Sequence, residues 1–391
     1  MKVYLDNSAT TRQYDEVTEK MVHFMSLDYG NPSSLHRMGF VAEKALETAR
    51  QQIADAMNVE KNEIYFTSGG TEADNTAIFG IIKKYKNWSG RGNKIITTQV
   101  EHPAVMKALE FLEQEGWELV RLSVDKDCRI NLEEFDEALD EKTVLITMML
   151  VNNEVGSIFP IQEISYRVQN FNRKNGTEIV VHSDAIQGIG KVPLPETLDL
   201  MSISAHKIHG PKGIGALFVR DGMSLPPLIM GGGQERGFRS GTENVPAIVG
   251  FGAAVNKCFA EEADRIKRLR DVKEYLFKGL NEELSDILLN GGLDNQLYSP
   301  GILNISFLGI RGEVLLHFLE EEGICVSTGS ACSSNHRGDS PVLLAMEKTK
   351  EEIQGAIRFS FSEFNVIEEM DYTIEKVKKS VIGMRRLGRS R

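Results

Sequence analysis

From residue 64 to residue 219, short apolar runs alternate with stretches of helical period. That alternation confines the chain to an α/β architecture, a mostly parallel sheet covered by helices on both faces. Ile64-Tyr65-Phe66-Thr67 reads as the first strand, and Ser68-Gly69-Gly70-Thr71-Glu72 turns into a helix reaching about Lys86. Further strands are predicted at Lys94 to Thr97, Glu118 to Ser123, Thr143 to Leu150, Ile179 to Ser183, Leu200 to Ser204 and Gly215 to Val219, which makes a seven-stranded sheet. Helices are predicted near Pro103 to Glu115, Leu132 to Leu139 and Ile161 to Arg173. Such sheets bind ligands outside the carboxyl ends of their strands. Thr71, His102, Asn153, Asp184 and Lys207 all come just after predicted strands.

The texture changes near residue 255, where a charged helical pattern from Asn256 to Leu284 leads to strands near Ile302 to Phe307 and Ile357 to Phe361, with helices at Glu313 to Glu322 and Val366 to Met384. The expected division is a large domain over 15–255 and a smaller α+β domain formed by 1–14 and 256–391. A chain of 391 residues is long enough for both. A net charge of −11 argues against direct nucleic-acid binding, which needs a basic face. No apolar run approaches a membrane span, and the first residues lack the apolar core of a signal peptide. Four cysteines do not make a disulfide framework, so a reducing cytoplasm is the expected location.

Lys207, in Ser204-Ala205-His206-Lys207-Ile208-His209-Gly210-Pro211-Lys212-Gly213, and Asp184 suggest together a site for an aldehyde cofactor. A lysine that holds pyridoxal phosphate as a Schiff base needs an acid beside the pyridine nitrogen, because the protonated ring is the electron sink. The Ser68 to Glu72 turn opens a helix whose unpaired N–H groups favour an anion, and it lacks the Lys-Ser/Thr ending of a nucleoside triphosphate loop. Ser204 and His206 can add donors to the same phosphate. His102, before Pro103, can cap a helix, stack on a planar ring or shuttle protons. Gln187 and Asn153 can address a ring hydroxyl. Gly231 to Asn244, dense in glycine and charge, reads as a structured anion loop or an exposed linker.

Cys325 lies in an apolar segment and reads as a buried small hydrophobe, while Cys128 and Cys258 have no chemical neighbourhood. Cys332 differs, because Ser327-Thr328-Gly329-Ser330-Ala331-Cys332-Ser333-Ser334-Asn335 is a small-residue loop able to expose a thiol. A zinc site on Cys325, Cys332 and His336 lacks a completing ligand set.

These segments, with Tyr4 to Thr11, Tyr29-Gly30-Asn31-Pro32-Ser33-Ser34, Asn152-Asn153-Glu154-Val155-Gly156 and His182 to Gln187, resemble in collinear order the NifS and IscS type of cysteine desulfurase, in the fold-type I pyridoxal-phosphate superfamily. The resemblance implies that Lys207 binds the cofactor covalently, Asp184 pairs with its ring nitrogen, Gln187 and Asn153 address the ring hydroxyl, and His102 stacks on the ring. Gly70, Thr71, Ser204, Ala205 and His206 would cradle the phosphate. Thr242 would reach the phosphate of a neighbouring subunit in a homodimer, and Arg358 would clamp the substrate carboxylate, for which its planar fork is suited. L-cysteine would become L-alanine while its sulfur moves to Cys332 as a persulfide, for an iron-sulfur scaffold or a tRNA-thiolation protein. Two departures stand out. Glu363 replaces a frequently basic residue, and the chain stops at Arg391 without the longer tail that IscS-type members use for a scaffold. Other readings are another pyridoxal enzyme such as a selenocysteine lyase or aminotransferase, a noncatalytic sulfur-partner binding module, or a phosphate-binding nucleotide enzyme.

Overall fold

The computed structural model describes residues 1–86, 92–328 and 339–389. The chain opens with β1 (Val3–Tyr4), α1 (Asp15–Ser26) and α2 (Arg37–Met57). It continues through β2 (Ile64–Thr67), α3 (Gly70–Lys86), β3 (Lys94–Thr98), α4 (Pro103–Gln114), β4 (Glu118–Leu122), α5 (Leu132–Ala138), β5 (Thr143–Met149), α6 (Ile161–Asn175), β6 (Val180–Asp184), β7 (Leu200–Ser204) and β8 (Gly215–Val219). These strands build one seven-stranded sheet in the order β2-β8-β7-β6-β5-β3-β4. Every pairing from β4 to β7 is parallel, and β8 runs antiparallel to both of its neighbours. The α/β fold expected from the alternating pattern is thus present.

Burial explains why the pattern was readable. Every residue of the parallel strands β3, β5, β6 and β7 is buried, as strands covered on both faces must be, and so is every residue of the antiparallel β8, while the edge strand β4 is mostly half-buried. Helix ends follow local chemistry. Pro103 takes the first position of α4 behind a His102 cap. Gly176 ends α6 in the left-handed region at φ 65°, where a side chain would be strained.

The second half comprises α7 (Val245–Ala260), α8 (Glu262–Glu283), β9 (Ile287–Asn290), β10 (Ile302–Phe307), α9 (Gly312–Glu321), β11 (Ile324–Cys325), α10 (Pro341–Ala345), α11 (Lys350–Gln354), β12 (Ala356–Ser360) and α12 (Ile367–Arg389). Three antiparallel strands form the sheet β12-β10-β9, and β1 pairs in parallel with β11. A separate apolar cluster joins Val3 and Leu5 to residues between Leu269 and Val381. Val342, Leu343, Met346, Ile353 and Ala356 pack instead into the cluster under the large sheet.

Three features differ from the sequence expectation. The charged stretch at 256–284 is not one helix, because α7 stops at Ala260 and α8 begins at Glu262. The helices α1 and α2, ahead of the first predicted strand, and the strand β9 were not anticipated. The two-residue strands β1 and β11 are too short to show a period, and only their pairing across the chain defines them.

Candidate active site

The site lies where β3, β5, β6 and β7 end. Ser8, Gly70, Thr71, His102, Met149, Val151, Asn153, Asp184, Ile186, Gln187, Ser204, His206 and Lys207 line a cavity of about 170 Å³. Nine sequence-derived candidates therefore converge: Gly70, Thr71, His102, Asn153, Asp184, Gln187, Ser204, His206 and Lys207. Lys207 ends a 3₁₀ turn directly after β7, and its Nζ donates to the carbonyls of Ser8 and, at 2.9 Å, Ala9.

Asp184 closes β6. Its Oδ1 accepts from the backbone of Ile186 at 3.0 Å. Burial pushes its carboxyl upward, while His102 and Lys207 draw it back. His102 accepts the Ala104 N–H on Nδ1 at 3.1 Å, so a neutral ring carries its proton on Nε2. Burial lowers its pKa, opposed by Asp184 and reinforced by Lys207. Gln187 donates from Nε2 to Ser8 O at 2.9 Å and accepts Lys191 Nζ on Oε1 at 3.4 Å, which fixes the orientation of its amide.

The anion cradle is built at the start of α3. Its first N–H groups have no acceptor within the helix, and the helix dipole favours negative charge there. A Cβ on Gly70 would come within 2.1 Å of Ile186 Cδ1, so a side chain here would push the Ile186 side chain, in the loop after β6, out of its place. The Ser204 hydroxyl is buried with no hydrogen-bond partner among the described residues. A buried hydroxyl without a partner costs free energy until an acceptor or donor arrives. A lysine, a buried acid and an anion cradle in one cavity fit pyridoxal phosphate.

Other candidates stand elsewhere. Ala205 is buried, does not line the cavity, and gives its N–H to Ile214 O at 3.2 Å. Thr242 is exposed and lies outside the cavity lining. Arg358, in β12, is 1% exposed; its guanidinium donates to Asn153 O and to Asp6 Oδ1, both at 2.9 Å. Cys332 lies outside the described residues. The Gly231 to Asn244 loop is anchored: Arg50 makes a two-pronged pair with Glu235, and Arg239 pairs with Glu72 in the first turn of α3.

Sequence reasoning missed a buried polar layer behind Asp184. Asp74 in α3 is fully buried, both its oxygens lack hydrogen-bond partners among the described residues, and His182 Nε2 is 3.7 Å away. His182 also meets Thr147 at 2.8 Å and Ser202 at 3.0 Å. Glu101 accepts from Thr98 and from the Met149 backbone, and burial pushes its pKa up to about 8. Only Glu101, an acid that follows the apolar run of β3, hinted at this layer.

The sequence profile of the family described as Aminotransferase class-V matches residues 3–373. The chain belongs to this family. Among class-V relatives, "Cysteine desulfurase IscS" of Clostridium botulinum is 41% identical over 383 residues, covering 97% of this chain and 94% of the relative. The class-V fold also matches the solved structure of a "NifS-like protein" with a TM-score of 0.89 at 38% identity, over 97% of this chain and 99% of that one. A second structure, "SspA in complex with cysteine", matches with a TM-score of 0.79 at 33% identity over 93% of this chain and all of the other.

Proposed function

We propose that this chain is a pyridoxal-phosphate-dependent cysteine desulfurase that converts L-cysteine to L-alanine and carries the released sulfur on Cys332 as a persulfide. The observation that carries the reading is the convergence of Lys207, Asp184 and the cradle of Gly70, Thr71 and Ser204 in one cavity. Full-length similarity to cysteine desulfurases supports the same reaction. When bound, the cofactor supplies an electron sink for the carbanion at the substrate Cα.

The remaining work falls to side chains. Lys207 would hold the cofactor covalently, and its amine would take the Cα proton. Asp184 keeps a proton on the ring nitrogen, and the positive charge there offsets the burial of its carboxylate. His102, kept neutral by burial, would lie beside the ring and offer Nε2–H. Gln187 and Asn153 serve the ring hydroxyl; Ser204, His206 and the first N–H groups of α3 serve the phosphate, with Ala205 shaping the turn. Arg358 takes the substrate carboxylate.

The same reading extends to assembly. Leu27, Tyr29, Leu35, Phe40 and Met230 are each more than 60% exposed, and covering such apolar side chains is what a homodimer would do, one in which Thr242 reaches the phosphate held by a second copy. The cluster joining Val3 and Leu5 to residues 269–381 supports a small domain of 1–14 and 256–391 beside a large domain of 15–255. A cytoplasmic location and delivery of sulfur to an iron-sulfur scaffold or tRNA-thiolation protein complete the proposal. No described helix is long and apolar enough to cross a membrane.

The test is incubation of the cofactor-loaded protein with L-cysteine. Alanine and transferable sulfur should appear in equal amounts, and mass spectrometry should find the persulfide on Cys332. Cys332→Ser should keep the cofactor's colour yet stop sulfur transfer, and Lys207→Ala should lose the borohydride-reducible link to the cofactor. Normal sulfur turnover in Cys332→Ser, or a retained link in Lys207→Ala, would refute the assignment.

A further inference from the structure

The segment between β1 and α1 lines the site through Ser8 and meets Lys207 through the Ser8 and Ala9 carbonyls, and its first acid sits on the guanidinium assigned to the substrate. Arg358 is 1% exposed, and its fork is already engaged twice, with Nη1 on Asn153 O and Nη2 on Asp6 Oδ1, each at 2.9 Å. Its Nε is buried without a partner among the described residues. The Asp6 side chain, by contrast, is 22% exposed. Both backbones are pinned independently of this ion pair. Arg358 exchanges hydrogen bonds with Ser327 at 2.7 and 3.2 Å, and Asp6 is held through its carbonyl by Tyr4 Oη at 3.1 Å and Ala9 N at 3.0 Å. Only the side chains are free to trade partners, and of the two only Asp6 has water to turn to.

We propose that Asp6 is a positioning residue for the reaction: it aims the Arg358 guanidinium and competes for it, so that a substrate carboxylate binds only by sharing or displacing the Asp6 carboxylate. The inference rests on Arg358 being the carboxylate clamp. Two carboxylates on one guanidinium leave a net negative charge. Their repulsion at roughly 5 Å is large in a site shielded from water and smaller where one partner is hydrated. Asp6 is partly hydrated, so its presence weakens carboxylate binding by about 5-fold, equivalent to about 1 kcal/mol. Losing the aim that Asp6 gives would act in the opposite direction. Because Asn153 O and the buried stem also hold the fork, the competition outweighs that loss.

The experiment is equilibrium binding of L-alanine to the cofactor-loaded enzyme, read from the visible spectrum, with cysteamine as a ligand that has the amine but no carboxylate. Asp6→Asn and, as a second variant against misfolding, Asp6→Ser should both bind L-alanine about 5-fold more tightly than the native enzyme, with cysteamine binding unchanged. A merely structural role for Asp6 would weaken both ligands. Unchanged or weaker L-alanine binding in both variants, or an equal gain for cysteamine, would overturn the proposal. Arg358→Gln separates the two levels of the argument. If it leaves L-alanine binding intact, the clamp reading itself fails; if it weakens L-alanine binding while the Asp6 variants do not tighten it, only the role of Asp6 fails.

Discussion

The carboxyl edge of the large sheet and the strap formed by residues 6–14 treat buried charge in opposite ways. At the sheet edge, Asp74, Glu101 and Asp184 are buried near one another, and burial pushes all three carboxyls upward. The nearby His182 is neutral, its pKa lowered by burial to about 3. Across the strap, acids meet opposite charge or a strong donor: Asp6 sits on Arg358, and Glu363 takes His209 Nε2 at 3.0 Å together with the Tyr14 hydroxyl. There the Glu363 pKa falls to about 2, because the hydrogen bonds and charge of His209 and the bond from Tyr14 outweigh desolvation. The sheet edge holds electrostatics that a ligand completes, whereas the cluster of Glu363, His209 and Tyr14 behind the strap completes itself. Substitutions at the sheet edge should therefore damage function more than folding, and substitutions in the strap cluster the reverse.

The sharpest way to break this contrast is Asp184→Asn. The amide keeps the shape and cannot hold a proton on the ring nitrogen by charge, so kcat/KM for L-cysteine should fall by about 10²- to 10⁴-fold. The cofactor-free protein should unfold at no lower a temperature than the native one, since a carboxyl that burial disfavours has been removed. Near-native activity, or a large loss of stability without cofactor, would erase the distinction between the regions.

That contrast also marks what the sequence could reveal. The sheet edge was legible because each functional residue follows its own strand: His102 after β3, Asn153 after β5, Asp184 at the end of β6 and Lys207 after β7. The covered parallel strands announce themselves as apolar runs, and the ligand side is fixed by topology. The strap was visible only as a motif. Its contacts join Asp6 to Arg358 and Tyr14 to Glu363 across some 350 positions, and no local period encodes such pairs. Glu363 looked like a surface departure in the sequence, whereas its charge is spent on His209, in the turn that follows Lys207. Asp74 escaped notice for another reason: it is one polar residue on a helix face, and its burial depends on how α3 lies against β6 and β7.

Glu363→Gln sharpens the contrast from the other side. The folded pKa of Glu363 lies near 2 against an ordinary 4.5, so its contribution to stability is full above about pH 4.5 and is lost as pH falls toward 2. Its side chain is 12% exposed, so solvent screening is limited. The variant should lose up to about 3 kcal/mol of stability at pH 7, with the two denaturation curves converging as the pH approaches 2. A deficit that persists unchanged at pH 2 would assign the effect to the fit of the side chain against Tyr14 and His209 rather than to charge.

The smallest effect, and the most specific to the sheet edge, is expected from Asp74→Asn. A carboxyl whose folded pKa is raised binds its proton more tightly in the native state than in the unfolded one. Native stability therefore declines as pH rises from the unfolded value near 3.8 toward the folded one, and an amide at this position has no such decline. The advantage of the variant should be absent near pH 4 and grow to about 1 kcal/mol by pH 8, a rise in melting temperature of about 1 to 2 °C for the cofactor-free protein. Melting curves at the two pH values read the difference directly. A variant whose offset from the native protein does not change with pH would mean that Asp74 ionises as easily inside as outside, and the sheet edge would then hold no uncompensated acid behind Asp184.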